Sequence, residues 1–242
     1  GVLDALVTAP IDKKNSQSED FKFPGHTDYL AQELEGNALM FMVSEHLSVG
    51  LLTDHVPVRE APNKITEALI REKSQAMMAS LTQDFGIRKP KIAVLGVNPH
   101  SGDQGVIGSE DQEVMSPTIQ SLRDAGHLIY GPYPADGFFG SGAYKEFDAV
   151  LAAYHDQGLI PFKTLSFGAG VNVTAGLSAV RTSPDHGTAF DIAGQNKART
   201  SSFEEAIFTA IKIVRNRRMH TQLNKAPLEI VSKKPTGKKK WR

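Results

Sequence analysis

The feature that most constrains the fold of this chain is the alternation of short apolar runs with longer amphipathic stretches. Each run is strand-sized and bounded by turn-forming residues, which predicts strands at residues 3–8, 38–43, 49–53, 91–97, 127–130, 148–153 and 171–174. Helices are predicted at residues 64–85, 110–125 and 203–218, the last from a capping box that starts at Ser202. This alternation is typical of an α/β fold with a largely parallel sheet.

Composition narrows the class of protein further. The 242 residues, 40% of them hydrophobic, are enough for one sizeable core or two small ones. Lysine plus arginine equal aspartate plus glutamate, so no overall charge favours nucleic acid as a partner. No apolar run approaches the roughly 18 residues of a membrane span, and no signal peptide opens the chain. We therefore expect a cytoplasmic protein without nucleic-acid or membrane partners.

We make one prediction for each end of the chain. Six basic and no acidic residues lie within residues 233–242, which predicts a solvated, disordered tail, with contact to RNA or a membrane as the alternative. The first residues read as a strand already under way and include no Met, so we expect upstream sequence to be missing.

Three histidines hold equivalent places beyond predicted strands. His55, His100 and His155 each provide the first strong ligand after the carboxyl end of an apolar run. Ligand sites of open α/β sheets lie at those ends, and cysteine is absent, so any metal must be bound by His, Asp or Glu. Three imidazoles suit zinc and leave one position open for a substrate. Spacing alone leaves two interpretations open, a metal site and three hydrogen-bonded loop residues.

A second set of polar residues indicates an anion site. Lys163, Asn172 and Arg181 are nine residues apart, with glycines between them. Arginine and lysine that converge on one anion form a phosphate clamp, whereas surface positions are the ordinary interpretation of each residue alone. No Rossmann fingerprint, P-loop, HExxH or GxSxG motif occurs, so spacing predicts none of those sites.

Seven motifs in a fixed order carry a family resemblance. They lie at residues 6–13, 25–28, 98–102, 131–136, 154–158, 170–174 and 181–189. Together they resemble the 4-hydroxythreonine-4-phosphate dehydrogenase family, and the likeness extends from residue 3 to about residue 215. Ala9 departs from the glycine usual in the first motif, Lys13 keeps the lysine that follows, and the basic tail lies outside the pattern.

The resemblance implies a fold of α/β/α layers like that of isocitrate and isopropylmalate dehydrogenases. It implies two domains in the full-length protein and a homodimer with the active site at its interface. Residues 1–175 would form the metal- and substrate-binding domain, and residues 176–232 the C-terminal part of a second domain whose N-terminal part is missing. Residues 233–242 would be the tail.

The resemblance also implies roles for individual residues. It implies that His55, His100 and His155 bind a divalent metal, with zinc preferred over magnesium or cobalt. It assigns substrate binding to five residues, namely His26, Thr27, Lys163, Asn172 and Arg181. His26 and Asp156 are the expected catalytic residues, and His186 is an alternative general base.

The implied reaction oxidises 4-phosphooxy-L-threonine with NAD or NADP. Decarboxylation then gives 3-amino-2-oxopropyl phosphate, a step of pyridoxine 5′-phosphate biosynthesis. Two other substrate types stay open within the family: threonate or erythronate phosphate, and a diol acid. A metal-dependent hydrolase or lyase without NAD is the alternative from another class, and a non-catalytic fragment that binds metal and phosphate is a third.

Overall fold

The protein is described by a computed structural model at residues 3–19, 21–23 and 25–226. Within these residues one mixed sheet of eight strands runs through the whole structure, in the order β1-β8-β7-β2-β3-β6-β4-β5. The strands are β1 (Leu6–Val7), β2 (Gly36–Val43), β3 (Ser48–Leu51), β4 (Lys91–Leu95), β5 (Leu128–Tyr133), β6 (Ala149–Ala152), β7 (Val171–Leu177) and β8 (Arg181–Pro184).

The relative directions of neighbouring strands differ between the two halves of the sheet. The half formed by β3, β6, β4 and β5 is parallel throughout. In the other half β2 pairs antiparallel with both β3 and β7, β7 pairs antiparallel with β8, and β1 is parallel to β8. The carboxyl ends of β3, β6 and β4 therefore lie side by side at one edge, where loops can present side chains to a ligand.

Helices cover both faces of this sheet. The α-helices are α1 (His26–Glu33), α2 (Ala61–Lys64), α3 (Glu67–Gln83), α4 (Ser116–Asp124), α5 (Ala135–Gly140), α6 (His155–Ser166) and α7 (Ser201–Asn224). One apolar core joins α3, α4 and α7 to one face, through side chains such as Met77, Ile119 and Ile213. A second core joins α5 and α6 to the other face, through Phe138 and Phe162. These are the α/β/α layers expected from the sequence, which confirms the fold class.

Two predicted features are wrong in detail. The N-cap of α7 is Thr200, and Ser202 lies inside the helix, so the predicted capping box does not form. The Ser202 hydroxyl instead donates to the carbonyl of Gly170 and to the Asp185 carboxylate. His155 opens α6, a helix that is absent from the predicted set.

Two further expectations concern the ends and the domain boundary. The boundary expected at residue 175 falls within β7, and the division into domains stays a prediction. The tail at residues 233–242 lies outside the described residues. Over residues 3–226, apart from the two gaps, no helix is both long and apolar enough to cross a membrane.

Candidate active site

A cavity of about 280 Å³ lies between helices α1 and α6 and residues of strands β2, β7 and β8. Its walls bring together seven of the residues predicted from the sequence: His26, Thr27, His55, His155, Lys163, Asn172 and Arg181. A larger cavity of about 640 Å³ opens near residues 44–48 and contains none of them. Because convergent polar groups matter more than volume for a ligand site, the smaller cavity is the candidate.

Strand alternation explains why Asn172 and Arg181 face the cavity. Val171 and Val173 point into the core under α3 and α7, so Asn172 between them faces the opposite side of the sheet. Asn172 pairs with Ser183 on β8 and with Met42 on β2, and all three line the cavity. Arg181 lies two residues before Ser183 and shares its face. The regular spacing of the predicted anion clamp thus results from one helix followed by two strands.

Helix α6 carries Lys163, the third residue of the predicted anion clamp, and His155. His155 is its first residue, and Lys163 follows two turns later on the same side. The helix lies very close to the sheet at Gly158, where an added Cβ would meet Val49, Ala152 and Leu51 at 2.8–2.9 Å. Glycine at this position therefore sets how near His155 and Lys163 come to the strands.

Arg181 is the most unusual charge in the described structure. The residue is 5% exposed, and its guanidinium donates to the hydroxyl of Thr8 from Nε (3.1 Å) and Nη2 (2.7 Å) and to that of Thr174 from Nη1 (3.3 Å). No carboxylate among the described residues forms an ion pair with it. Burial lowers its pKa to about 10. A buried cation that contacts only neutral groups is costly, and an anionic ligand would provide the missing counter-charge.

Burial shifts the pKa of two other titratable groups of the cavity. Burial and then Arg181 lower the pKa of His26, so its imidazole is favoured in the neutral form. Burial raises the pKa of the Asp185 carboxyl, against the opposing effects of the Ser202 hydroxyl and Lys163.

His55 lines the cavity near His155, and the surroundings of these two rings are called the histidine end. Burial and then Lys13 lower its pKa, while the carboxylates of Asp54 and Asp28 act in the other direction. The Lys13 ammonium is 3.4 Å from His55 Nε2. Lys13 and Asp28 therefore belong to this end of the cavity, although neither was among the site residues expected from the sequence. Both lie within motifs of the resemblance, at residues 6–13 and 25–28, and that membership was the available signal.

Two of the three expected metal ligands converge. The ring centroids of His55 and His155 are 6.0 Å apart, and His155 Nδ1 is hydrogen-bonded at 2.7 Å to Asp156 Oδ1, which fixes the ring. In the described part of the chain no three His, Asp or Glu side chains are arranged to hold a metal ion. Two imidazoles fit part of a zinc site, which commonly has three protein ligands.

His100 does not line this cavity. It is exposed and belongs to the turn Pro99–Gly105 after β4, which is separated from β3 by β6. His100, Ser101, Asp103 and Gln104 all have positive φ, a conformation that is costly for residues with a Cβ.

The turn is held in place by Asp111, which is 1% exposed. Its carboxylate accepts hydrogen bonds from the backbone N–H groups of Val97 and Asn98, at 2.8 and 3.0 Å. His100 is thus presented outward by a supported turn, and its role as a ligand stays a prediction.

Known proteins resemble this chain along most of its length. A sequence model of the family described as pyridoxal phosphate biosynthetic protein PdxA matches residues 1–210. The chain belongs to the PdxA family. The 4-hydroxythreonine-4-phosphate dehydrogenase of Bacteroides thetaiotaomicron is 51% identical to it over 230 residues, which cover 94% of this chain and 63% of the relative. The chain therefore spans less than two thirds of the length of this PdxA relative.

Solved structures agree with the family membership and the fold. The crystal structure of 4-hydroxythreonine-4-phosphate dehydrogenase from Klebsiella pneumoniae has a TM-score of 0.76 at 36% identity and covers 88% of this chain and 65% of its own. An isocitrate dehydrogenase from Methylococcus capsulatus has a TM-score of 0.52 at 12% identity and covers 90% of this chain and 70% of its own. The second likeness concerns the fold alone and agrees with the dehydrogenase-like layers expected for a PdxA protein.

Proposed function

We propose that this chain takes part in the oxidation of 4-phosphooxy-L-threonine by NAD or NADP, followed by decarboxylation to 3-amino-2-oxopropyl phosphate. The reaction would belong to pyridoxine 5′-phosphate biosynthesis. Family membership supports the reaction class, since the relatives are dehydrogenases by name. The observation that carries the substrate is Arg181, a buried guanidinium with two N–H groups left for an anion.

The cavity is suited to a small phosphorylated acid. Two cations, Arg181 and Lys163, line it with the amide of Asn172, and Lys13 adds a third positive charge at the histidine end. The planar fork of an arginine matches the oxygen atoms of a phosphate, and lysine adds a point charge. Binding through these groups, together with His26 and Thr27, would fix the carbinol carbon of the substrate in one orientation.

His26 is the proposed general base. Oxidation of the substrate removes the hydroxyl proton as well as a hydride, and a neutral imidazole nitrogen can accept that proton. The lowered pKa of His26, caused by burial and then Arg181, supports the neutral form at physiological pH. For Asp156 the 2.7 Å hydrogen bond to His155 favours a role in orienting that ring.

A divalent metal would bind at the histidine end. His55 and His155 of one copy, with the exposed His100 of a second copy, would hold zinc in preference to magnesium or cobalt, and the metal supplies Lewis-acid chemistry when bound. This arrangement supports the expected homodimer, because one copy contributes two convergent imidazoles and presents the third outward.

A nicotinamide dinucleotide is the expected hydride acceptor. A cavity of about 280 Å³ suits a small substrate and is too small to enclose a dinucleotide as well. The dinucleotide would therefore extend beyond this cavity. A cytoplasmic location is likewise kept as a prediction.

Formation of NADH from 4-phosphooxy-L-threonine tests this proposal. We expect absorbance of NADH to appear when substrate, NAD and zinc are all present, and to be lost when a chelator removes the metal. Release of inorganic phosphate without NADH would indicate the metal-dependent hydrolase instead. Consumption of the substrate with neither NADH nor phosphate would indicate a lyase.

A further inference from the structure

Two hydrogen-bond acceptors in the cavity have no partner. Asp28 Oδ2 and Asn172 Oδ1 are both buried, and neither has a hydrogen-bond donor among residues 3–19, 21–23 and 25–226. Both residues line the same cavity. Buried acceptors are nearly always satisfied in folded proteins, and an unsatisfied one costs free energy comparable to a lost hydrogen bond. The ligand of this cavity therefore has to bring donors as well as anionic groups.

Asp28 is the unengaged carboxylate of the site. Among the described residues, the lining contains one other carboxylate, that of Asp185, which accepts a hydrogen bond from the Ser202 hydroxyl. Asp28 is the third residue of α1, and its carboxylate lies near enough to His55 to act on the pKa of that imidazole in the raising direction. The lining therefore contains one unengaged carboxylate, that of Asp28, beside three cations, Arg181, Lys163 and Lys13.

We propose that Asp28 and Asn172 form a subsite for the ammonium group of the substrate, which makes the chain selective for a phosphorylated amino acid over a phosphorylated sugar acid. This inference rests on the proposed function. An ammonium brings three donors and a positive charge, so it can bond both oxygens and neutralise the Asp28 carboxylate. The phosphate of the same molecule would then meet Arg181.

The phosphorylated sugar acids that compete for this site lack the positive charge and differ from the amino acid in one group. In 4-phosphoerythronate and 4-phosphothreonate a hydroxyl replaces the ammonium group, and it brings one donor in place of three. The Asp28 carboxylate forms a charge-assisted hydrogen bond with either donor, but only the ammonium also neutralises the carboxylate and has a donor left for Asn172. A site with a buried carboxylate should therefore favour the amino acid by at least about tenfold in dissociation constant.

The test compares the two ligand types on wild-type protein and on variants of α1. Calorimetric titration of the full chain with zinc gives the dissociation constants for 4-phosphooxy-L-threonine and 4-phosphoerythronate. For Asp28→Asn we expect the amino acid to bind about tenfold more weakly and the sugar acid to bind as before. Asp28→Glu keeps the carboxylate and should retain part of the preference. Glu33→Gln, an exposed carboxylate on the same helix, should change neither constant.

The outcomes separate this inference from the proposed reaction. Equal weakening of both ligands by Asp28→Asn, or no weakening of either, would overturn the ammonium subsite even if NADH is formed. A preference that depends on Asp28 supports the subsite even if NADH is not formed, and in that case the proposed reaction fails alone. A wild-type protein that binds the sugar acid as tightly as the amino acid would also overturn the subsite.

Discussion

Replacing Arg181 by methionine should weaken substrate binding without unfolding the protein. Three of the five guanidinium N–H groups are occupied by the hydroxyls of Thr8 and Thr174, which leaves two for the substrate anion. Hydrogen bonds to charged groups contribute about 1.5–3 kcal/mol each, so the loss of two gives at least about 3 kcal/mol. The dissociation constant of 4-phosphooxy-L-threonine should rise by about a hundredfold or more.

Stability should respond differently to the same substitution. The fall of the Arg181 pKa from 12.5 to about 10 corresponds to about 3 kcal/mol against the charged form in the folded state. Methionine removes that cost and gives up three hydrogen bonds from the charged guanidinium, worth at least about 1.5 kcal/mol each. The two contributions largely offset each other, so the free energy of unfolding should fall by only about 1–2 kcal/mol.

Arg217 provides the matched control. Its guanidinium is paired with Asp84, which is 0% exposed, and lies away from the cavity. Arg217→Met breaks this buried ion pair and should cost about 3–5 kcal/mol of stability while substrate affinity is unchanged. Calorimetry gives the affinities, and urea denaturation gives the free energies of unfolding. If Arg181→Met instead lost stability as Arg217→Met does and kept its substrate affinity, the assignment of Arg181 to the substrate would be refuted.

Three further predictions test other parts of the structure. Gly158→Ala should lose about 1–3 kcal/mol in urea denaturation, because the new Cβ meets three core side chains at 2.8–2.9 Å, and an unchanged midpoint would show that α6 can move away. The raised pKa of Asp185 means that the folded state holds the proton of this carboxyl more tightly than the unfolded state does. The contribution of this group to stability is therefore lost as pH rises from 3.8 through the folded pKa. Asp185→Asn should flatten that part of the pH profile of the unfolding free energy, and an identical slope would argue against the raised pKa. His100→Ala should abolish bound zinc, measured by metal analysis of the purified protein, together with turnover, and full activity in metal-free His100→Ala protein would remove the metal from the account.

The strands could be predicted from the sequence because their apolar side chains face two buried surfaces. All seven predicted strands are present, with boundaries that differ by a few residues. The eighth, β8, was missed because Arg181 and Ser183 face the polar cavity and leave no apolar run. Helix α6 was missed because Gly158 and Pro161 resemble turn residues, although Gly158 is there for close packing against the sheet.

The site was predicted in outline from spacing and motifs. The structure brings Lys163, Asn172 and Arg181 to one cavity, as the regular spacing suggested. Spacing could not show that His100 faces outward, because the left-handed turn that presents it depends on the contact with Asp111. Neither could it single out Asp28, since an unpartnered buried oxygen is visible only when the surrounding chain is folded.

We propose that a buried cationic cavity binds 4-phosphooxy-L-threonine for oxidation and decarboxylation. The most direct measurement is the amount of NADH and of carbon dioxide formed per substrate consumed, with zinc present. We expect equal amounts of both, with 3-amino-2-oxopropyl phosphate as the product, and much less of each from Arg181→Met at the same substrate concentration. Substrate consumed without NADH, or NADH formed equally well by Arg181→Met, would contradict the proposed reaction.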